Sequence, residues 1–371
     1  MTTRSLPSDS NKENAPSTLP KPIPGSGNLL PMFDNQSPGT EWDYWIFDGL
    51  AVDDRALLGV SLNRNLDPRR PGSCKVEILV VWPDQSTFNH ELFFDNTKFV
   101  EAEGGEDVVG TWFNTSDASS VSFRVRADCS HATVNLDVPG VVQGKMHLVR
   151  LPGDTGLDTP AELSPSVGYL QPLGRASVTA SLTVASSNTT GGRYFQLGEG
   201  NEARGGIDRC WSPFAWHQVM KESYRARAIV GPYSMSVLRI SSRPTDGSPL
   251  YTSSRLYRDG VLVCVAHRAP EDPDEDGDDF LSLSKVYEVG EKAITGAFHD
   301  KCTGYQIIFG SSNGQRWRFN VQHGTVLYNT PTSPPGPEAT GISGFMEFIK
   351  GGEEGEEFEG VGFGSPAEFF G

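Results

Sequence analysis

Almost every ordered stretch of this chain alternates apolar and polar residues with period two, between turns rich in Gly, Pro, Asn and Asp. Period two belongs to strands half buried in a sheet, and it leaves little room for helices. "KVEILVVW" (75–82), "SVSFRVRA" (120–127), "ATVNLDV" (132–138), "KMHLVRL" (145–151) and "ASVTASLTVAS" (176–186) show it in the first half. In the second half "YRARAIV" (224–230) and "YSMSVLRISS" (233–242) continue it. "SRLYRDGVLVCVAH" (254–267) and "YQIIFGSSNGQRWRFNVQ" (305–322) are expected to be hairpins turning at Asp259-Gly260 and Asn313-Gly314. The best helical stretch, "PFAWHQVMKESY" (213–224), supports one short helix at most. The chain is expected to be all-β.

At 371 residues it exceeds one small domain. Residues 1–27, rich in Ser, Pro, Asn and Lys, are expected to form a flexible tail. "GGRYFQLGEGNEARGGIDRCWSPF" (191–214) is Gly-rich without alternation, so the crossing between domains is expected in or just after it. Residues 28–212 then form a sandwich-like domain, and residues 213–371, mostly hairpins, have the size of a small closed barrel.

The formal net charge of −16 and the lack of a basic stripe argue against nucleic-acid or anionic-membrane partners. Five widely spaced cysteines, with no CxxC pair and no secretory start, point to reduced thiols in the cytoplasm. No apolar run is long enough to span a membrane. HExxH and GxSxG are absent, and the seven histidines are scattered singly, so neither a metal site nor a covalent nucleophile is expected. "LGEGNEARGG" lacks the flanking helix of a phosphate loop. "DPDEDGDD" (272–279) starts like a calcium loop but has Leu283 where the bidentate Glu belongs, and reads as a solvated acidic loop.

What remains is aromatic residues with polar neighbours. In "EWDYWIFD" (41–48), alternation sets Glu41, Asp43, Trp45 and Phe47 on one face and Trp42, Tyr44, Ile46 and Asp48 on the other. Both faces carry aromatics and acid. On the residues alone two readings stand: acids that cap strand ends or face solvent, and acids that line a ligand cavity. Trp211 in "CWSPFAWHQV" (210–219) and Trp317 in "QRWRFN" (315–320) add indoles near the expected junction and on a barrel strand.

"SPGTEWDYWIFDG", "VEILVVWPDQS", "RCWSPFAWHQVMKESYRARAIVGPYSMSVLRISS", "QRWRFNV" and the ending "GFMEFIKGG…FEGVGFGSPAEFF" together resemble the fungal lipocalin-like Diels–Alderases. "WDYWIFDG" also resembles a strand of the hydroxyneurosporene-synthase-like proteins. The resemblance runs from about residue 37 to the end. It implies an N-terminal β-sandwich, a C-terminal lipocalin-like barrel, a substrate pocket between them and no cofactor. The implied activity is a stereoselective intramolecular [4+2] cycloaddition of a small polyene released from a polyketide synthase. A lipocalin-like carrier without turnover, and a hydratase or isomerase of the related type, are the alternatives. Carried over by residue, the resemblance implies a catalytic set of Asp43, Glu41 and Glu77, and substrate contacts from Trp45, Trp211, Trp317 and Lys350; Tyr233, on the first barrel strands, is a weaker candidate donor. Leu79, on the face of Glu77, stands where a second polar group is expected.

Overall fold

The computed structural model describes residues 19–20, 25–33, 40–65, 74–101, 107–154, 162–185, 192–243, 247, 249–270, 278–287, 302–334 and 339–369. The expected tail lies outside these apart from 19–20 and 25–27, and most of the acidic 272–279 loop lies outside them too. The chain divides into two compact units, Met1–Ala215 and Trp216–Gly371.

The first unit contains β1 (Trp42–Ala51), β2 (Leu57–Asn65), β3 (Cys74–Val81), β4 (Thr87–Phe94), β5 (Asn96–Glu101), β6 (Asp107–Phe113) and β7 (Ser120–Arg126). These are followed by β8 (His131–Val138), β9 (Val142–Arg150), β10 (Glu162–Ser164), β11 (Val167–Val184), β12 (Arg193–Leu197) and β13 (Ala203–Ser212). They form one antiparallel sheet in the order β4-β3-β2-β1-β13-β11-β9-β8-β7-β6-β5, with β10 and β12 also paired to β11. The sheet coils until its two halves face each other. Trp112 of β6 donates its Nε1–H to the Asn63 carbonyl of β2 at 2.9 Å, and its ring meets Trp45 of β1 edge-on at 5.4 Å. Val60, Leu62, Val76, Ile78, Phe123 and Val134, all fully buried, fill the space between the halves as in a sandwich. Two register shifts in β11, between Leu170 and Leu173 and between Leu173 and Ala176, bend the sheet where it pairs with β13.

Residues 203–212, read from sequence as part of a non-alternating connection, are instead a central strand. β13 is buried on both faces, which erases the alternation that marks a strand with one wet side. Residues 25–29 form a 3-10 turn, and the Leu29 carbonyl accepts from Trp45 Nε1 at 2.8 Å.

The second unit begins with α1 (Trp216–Val219), the single short helix expected there, and continues with β14 (Glu222–Val230), β15 (Tyr233–Ser241), β16 (Leu250–Thr252), β17 (Ser254–Arg258) and β18 (Val261–Ala266). β19 (Phe280–Val286), β20 (Gly304–Gly310), β21 (Arg316–Pro331), β22 (Gly341–Glu353) and β23 (Phe358–Glu368) complete it. Its order is β18-β17-β15-β14-β23-β22-β21-β20-β19, with β16 on β15. The ends of this path approach each other: Cys264 Sγ of β18 donates to the Gly310 carbonyl of β20 at 3.4 Å, and Arg268 bridges to Phe280. The sheet is therefore nearly closed into a barrel. Asp259 and Gly260, with φ of 49° and 82°, make the tight turn between β17 and β18.

Candidate functional site

β1 carries acids on both faces, and the two faces differ in what meets them. Asp43 lies on the inner face with Trp45 and Phe47, 1% exposed. Its Oδ2 accepts from Arg64 Nη1 at 3.2 Å; its Oδ1 accepts from Arg209 Nη2 and from the Met32 amide at 3.2 Å. Arg209 is fully buried, lies over the Trp45 ring at 4.1 Å, and donates to the carbonyls of Asn28 and Cys210 at 3.1 and 2.6 Å. Burial lowers the Arg209 pKa while Asp43 pulls the other way. An acid held by two guanidiniums and an amide has its hydrogen-bonding capacity spent inside the protein. The role expected of Asp43, binding a substrate head group, gives way to that of an internal anchor joining β1, β2, β13 and the 28–33 segment. Trp45 is likewise part of the sandwich core and not a channel wall.

Glu41, just before β1, is half-buried, and its Oε2 is sealed without a hydrogen-bond partner. Trp211 is fully buried against Leu170, Met32 and Phe33. Its ring lies across Gly168, where an added Cβ would come within 2.1 Å, so only glycine admits the indole there.

The outer face of the same strands is a row of cross-strand rungs. In one, Glu77, Ser61, Ile46 and Asp208 stand opposite one another across β3, β2, β1 and β13. In the next, Lys75, Asn63, Tyr44, Cys210 and Tyr169 continue onto β11. Glu77 and Asp208 are three strand spacings apart, about 14 Å. Between them Tyr44, Ile46, Ser61 and Gly59 stay half-buried, while Asp208, Asp48, Asn63, Tyr169 and Gln171 are no more than 3% exposed. The floor is low at Gly59, where the nearest atom to an added Cβ is 3.8 Å away.

Two polar groups bracket this trough. At one end the Tyr169 hydroxyl donates to Asp208 Oδ1 at 2.9 Å, and Gln171 Nε2 donates to both, at 2.9 and 3.1 Å. At the other, Lys75 Nζ reaches Glu77 Oε1 at 2.5 Å and Glu91 Oε1 at 2.8 Å. Burial works to lower the Lys75 pKa, but Glu77, Tyr44 and Glu91 outweigh it and hold the ammonium above its ordinary value. One ammonium cannot satisfy two carboxylates equally. Burial raises the Glu77 pKa against the pull of Lys75, whereas the hydrogen bond from Lys75 lowers that of Glu91. The Glu77 side chain stays 36% exposed, which limits how far burial can raise it. Leu79 extends the same face as an apolar neighbour, 6% exposed.

Three of the expected site residues belong to the second unit. Trp317 is 1% exposed in the packed barrel interior. The Tyr233 hydroxyl donates to Glu356 Oε2 at 2.7 Å and accepts from the Glu353 amide at 3.3 Å. Burial first, then that bond to Glu356, pushes the Tyr233 pKa up to about 12. Lys350 points outward, 56% exposed at its side chain and 2.5 Å from Glu359, because alternation along β22 puts Glu347 and Ile349 inside. Lys350, expected to reach the head group from the barrel side, is paired with Glu359 on the outside of its own sheet.

Sequence reading missed a buried chain inside the barrel. The Tyr224 hydroxyl donates to Glu347 Oε2 at 2.8 Å, His323 Nδ1 lies 3.2 Å from Glu347 Oε1, and Cys302 Sγ lies 3.7 Å from His323 Nε2. Its members are spread over β14, β22 and β21 and the segment before β20, so no local motif could announce them. Cys302 and Glu347 sit on opposite ring nitrogens of His323, which is not a chelating arrangement. All five cysteines are free and buried, and no helix among the described residues is long and apolar enough to cross a membrane.

A family model described as Diels-Alderase-like matches residues 5–369. The chain is 46% identical over 355 residues to Diels-Alderase fsa2 of Fusarium heterosporum, covering 93% of each. It is 41% identical over 350 residues to a Diels-Alderase of Gibberella fujikuroi, again over 93% of each. The crystal structure of CghA with Sch210972 superposes with a TM-score of 0.85 at 31% identity, over 96% of both chains.

Proposed function

The chain belongs to the Diels-Alderase-like family, an enzyme of cycloaddition acting on a small molecule, and we propose that the outer face around Glu77, Tyr44 and Asp208 is where its substrate is folded. The substrate is a linear polyene carrying diene, dienophile and a carbonyl-bearing polar head, of polyketide or polyketide–amino-acid origin, released from a synthase in the cytoplasm. The free, buried cysteines support that reducing compartment. The carrying observation is the half-buried row of Tyr44, Ile46, Ser61 and Gly59, with polar groups at both ends.

An intramolecular [4+2] closure needs no nucleophile. Its barrier is largely the entropy of bringing diene and dienophile into register, which a shaped surface supplies in advance. Ile46, Leu79 and the Tyr44 ring offer apolar area for the chain. A hydrogen-bond donor on the head-group carbonyl draws electron density from the dienophile and lowers the barrier further. Glu77 can be that donor: a carboxyl whose pKa is raised keeps its proton to higher pH. Asp43 serves this surface from behind, by fixing β1 and β13 in register.

The test is Gly59→Leu, assayed with purified protein and a linear polyene tetramate. An added Cβ meets nothing closer than 3.8 Å, so the fold should tolerate it, while the larger side chain fills the floor. The expected result is loss of cyclisation with Tm nearly unchanged. Undiminished rate and selectivity would place the reaction elsewhere. Probe binding without any acceleration by the unaltered protein would leave only a carrier.

A further inference from the structure

Asn63 stands in β2 between Lys75 of β3 and Tyr44 of β1, in register with both, on the outer face and 2% exposed. Its backbone carbonyl is occupied from the core side by Trp112. Its side-chain Nδ2 is sealed from solvent and has no hydrogen-bond partner. Buried amide donors are almost always paired, because an unmade bond leaves their desolvation uncompensated. Its neighbours are paired: Lys75 with Glu77 and Glu91, and Tyr169 and Gln171 with Asp208. Asn63 is thus a buried donor lacking an acceptor, beside the half-buried Tyr44 and Ser61.

Resting on the reading of this face as the substrate surface, we infer that Asn63 is a substrate-binding residue whose Nδ2–H donates to a carbonyl oxygen of the polyene's head group. The half-buried Tyr44 ring or Lys75 chain beside it swings aside as the head enters. A neutral carbonyl fits better than a carboxylate, since Lys75, the cation at this end, is already held by Glu91 and Glu77. Asn63 makes and breaks no covalent bond; it sets which way the head group lies and so which face of the dienophile meets the diene.

The test is Asn63→Leu, similar in shape but without the donor. With a linear polyene tetramate, kcat/KM should fall by about tenfold or more and the diastereomer ratio should erode. Tm should hold or rise, because an unpaired buried donor has been removed. With a probe whose head-group carbonyl is replaced by methylene, N63L and the unaltered protein should cyclise at equal rates. The side-chain amide protons of Asn63 in the 15N-labelled, unaltered protein should also shift downfield when cyclised product binds. An N63L rate and selectivity within about twofold of the original on the carbonyl probe, or an unmoved amide resonance, overturns the inference. Gly59→Leu separates the two failures. If it stops turnover while N63L does not, the site stands and the role of Asn63 falls. If neither variant matters, the site itself is wrong.

Discussion

The inner and outer faces of β1 use the same residue types to different ends. Inside, Asp43 meets two arginines and a backbone amide, the Trp45 ring lies under Arg209, and both carboxylate oxygens of Asp43 are engaged within the protein. Outside, Tyr44 and Ile46 are half open, Glu77 shares its ammonium with a rival carboxylate, and a buried amide of Asn63 has no partner. Burial and acidity are common to both faces, so neither marks a site. What sets the proposed substrate face apart is the buried Asn63 donor beside half-buried residues.

The comparison breaks most visibly at Asp43. Asp43→Ala leaves two guanidiniums buried without their counter-ion, a loss of about 3–5 kcal/mol. For a unit of this size that corresponds to a Tm lower by about 10 °C in a thermal melt. Activity per folded molecule should hold, since the proposed substrate face lies on the other side of β1; a well-folded, slow D43A would return Asp43 to the chemistry.

Asp208→Asn should act in the opposite sense. It weakens the acceptor shared by Tyr169 and Gln171, and the expected outcome is a roughly tenfold lower cyclisation rate with a Tm change well below that of D43A. Equal losses of stability and activity would make this cluster structural as well.

Glu77 sharpens the contrast through pH. Its pKa is raised, so the protonated donor persists to higher pH and is lost as pH rises through that pKa. The rate should therefore decline on the alkaline side, and Glu77→Gln, an amide that cannot titrate, should flatten the profile. An unchanged alkaline limb in E77Q would remove Glu77 from the donor role. The smallest effect belongs to Lys350→Ala, an exposed pair with Glu359, where neither the thermal melt nor the activity should change measurably.

Period-two alternation was enough to read the all-β class and the hairpins of the second unit, because their strands have one wet face. It failed at β13, whose two buried faces leave no contrast to detect. The acid–indole stretch 41–48 drew attention to β1 but could not show which of its faces is tied up by internal ion pairs. Which face is structural depends on Arg64 and Arg209, which lie 21 and 166 residues from Asp43 and cannot be paired with it by inspection. Asn63, in "SLNRN", carries no motif, and its meaning comes only from a missing partner. Lys350 was named through the resemblance and not from its strand position; three residues from Glu347, it faces out where Glu347 faces in.

A crystal structure with the cyclised product bound tests the central claim most directly. The account predicts product lying over Tyr44, Ile46 and Ser61, with its head-group oxygen within hydrogen-bond distance of Asn63 or Glu77 and the Asp43–Arg209 pair untouched behind it. Product bound away from this face, or seated against Asp43 with the arginines displaced, would contradict it.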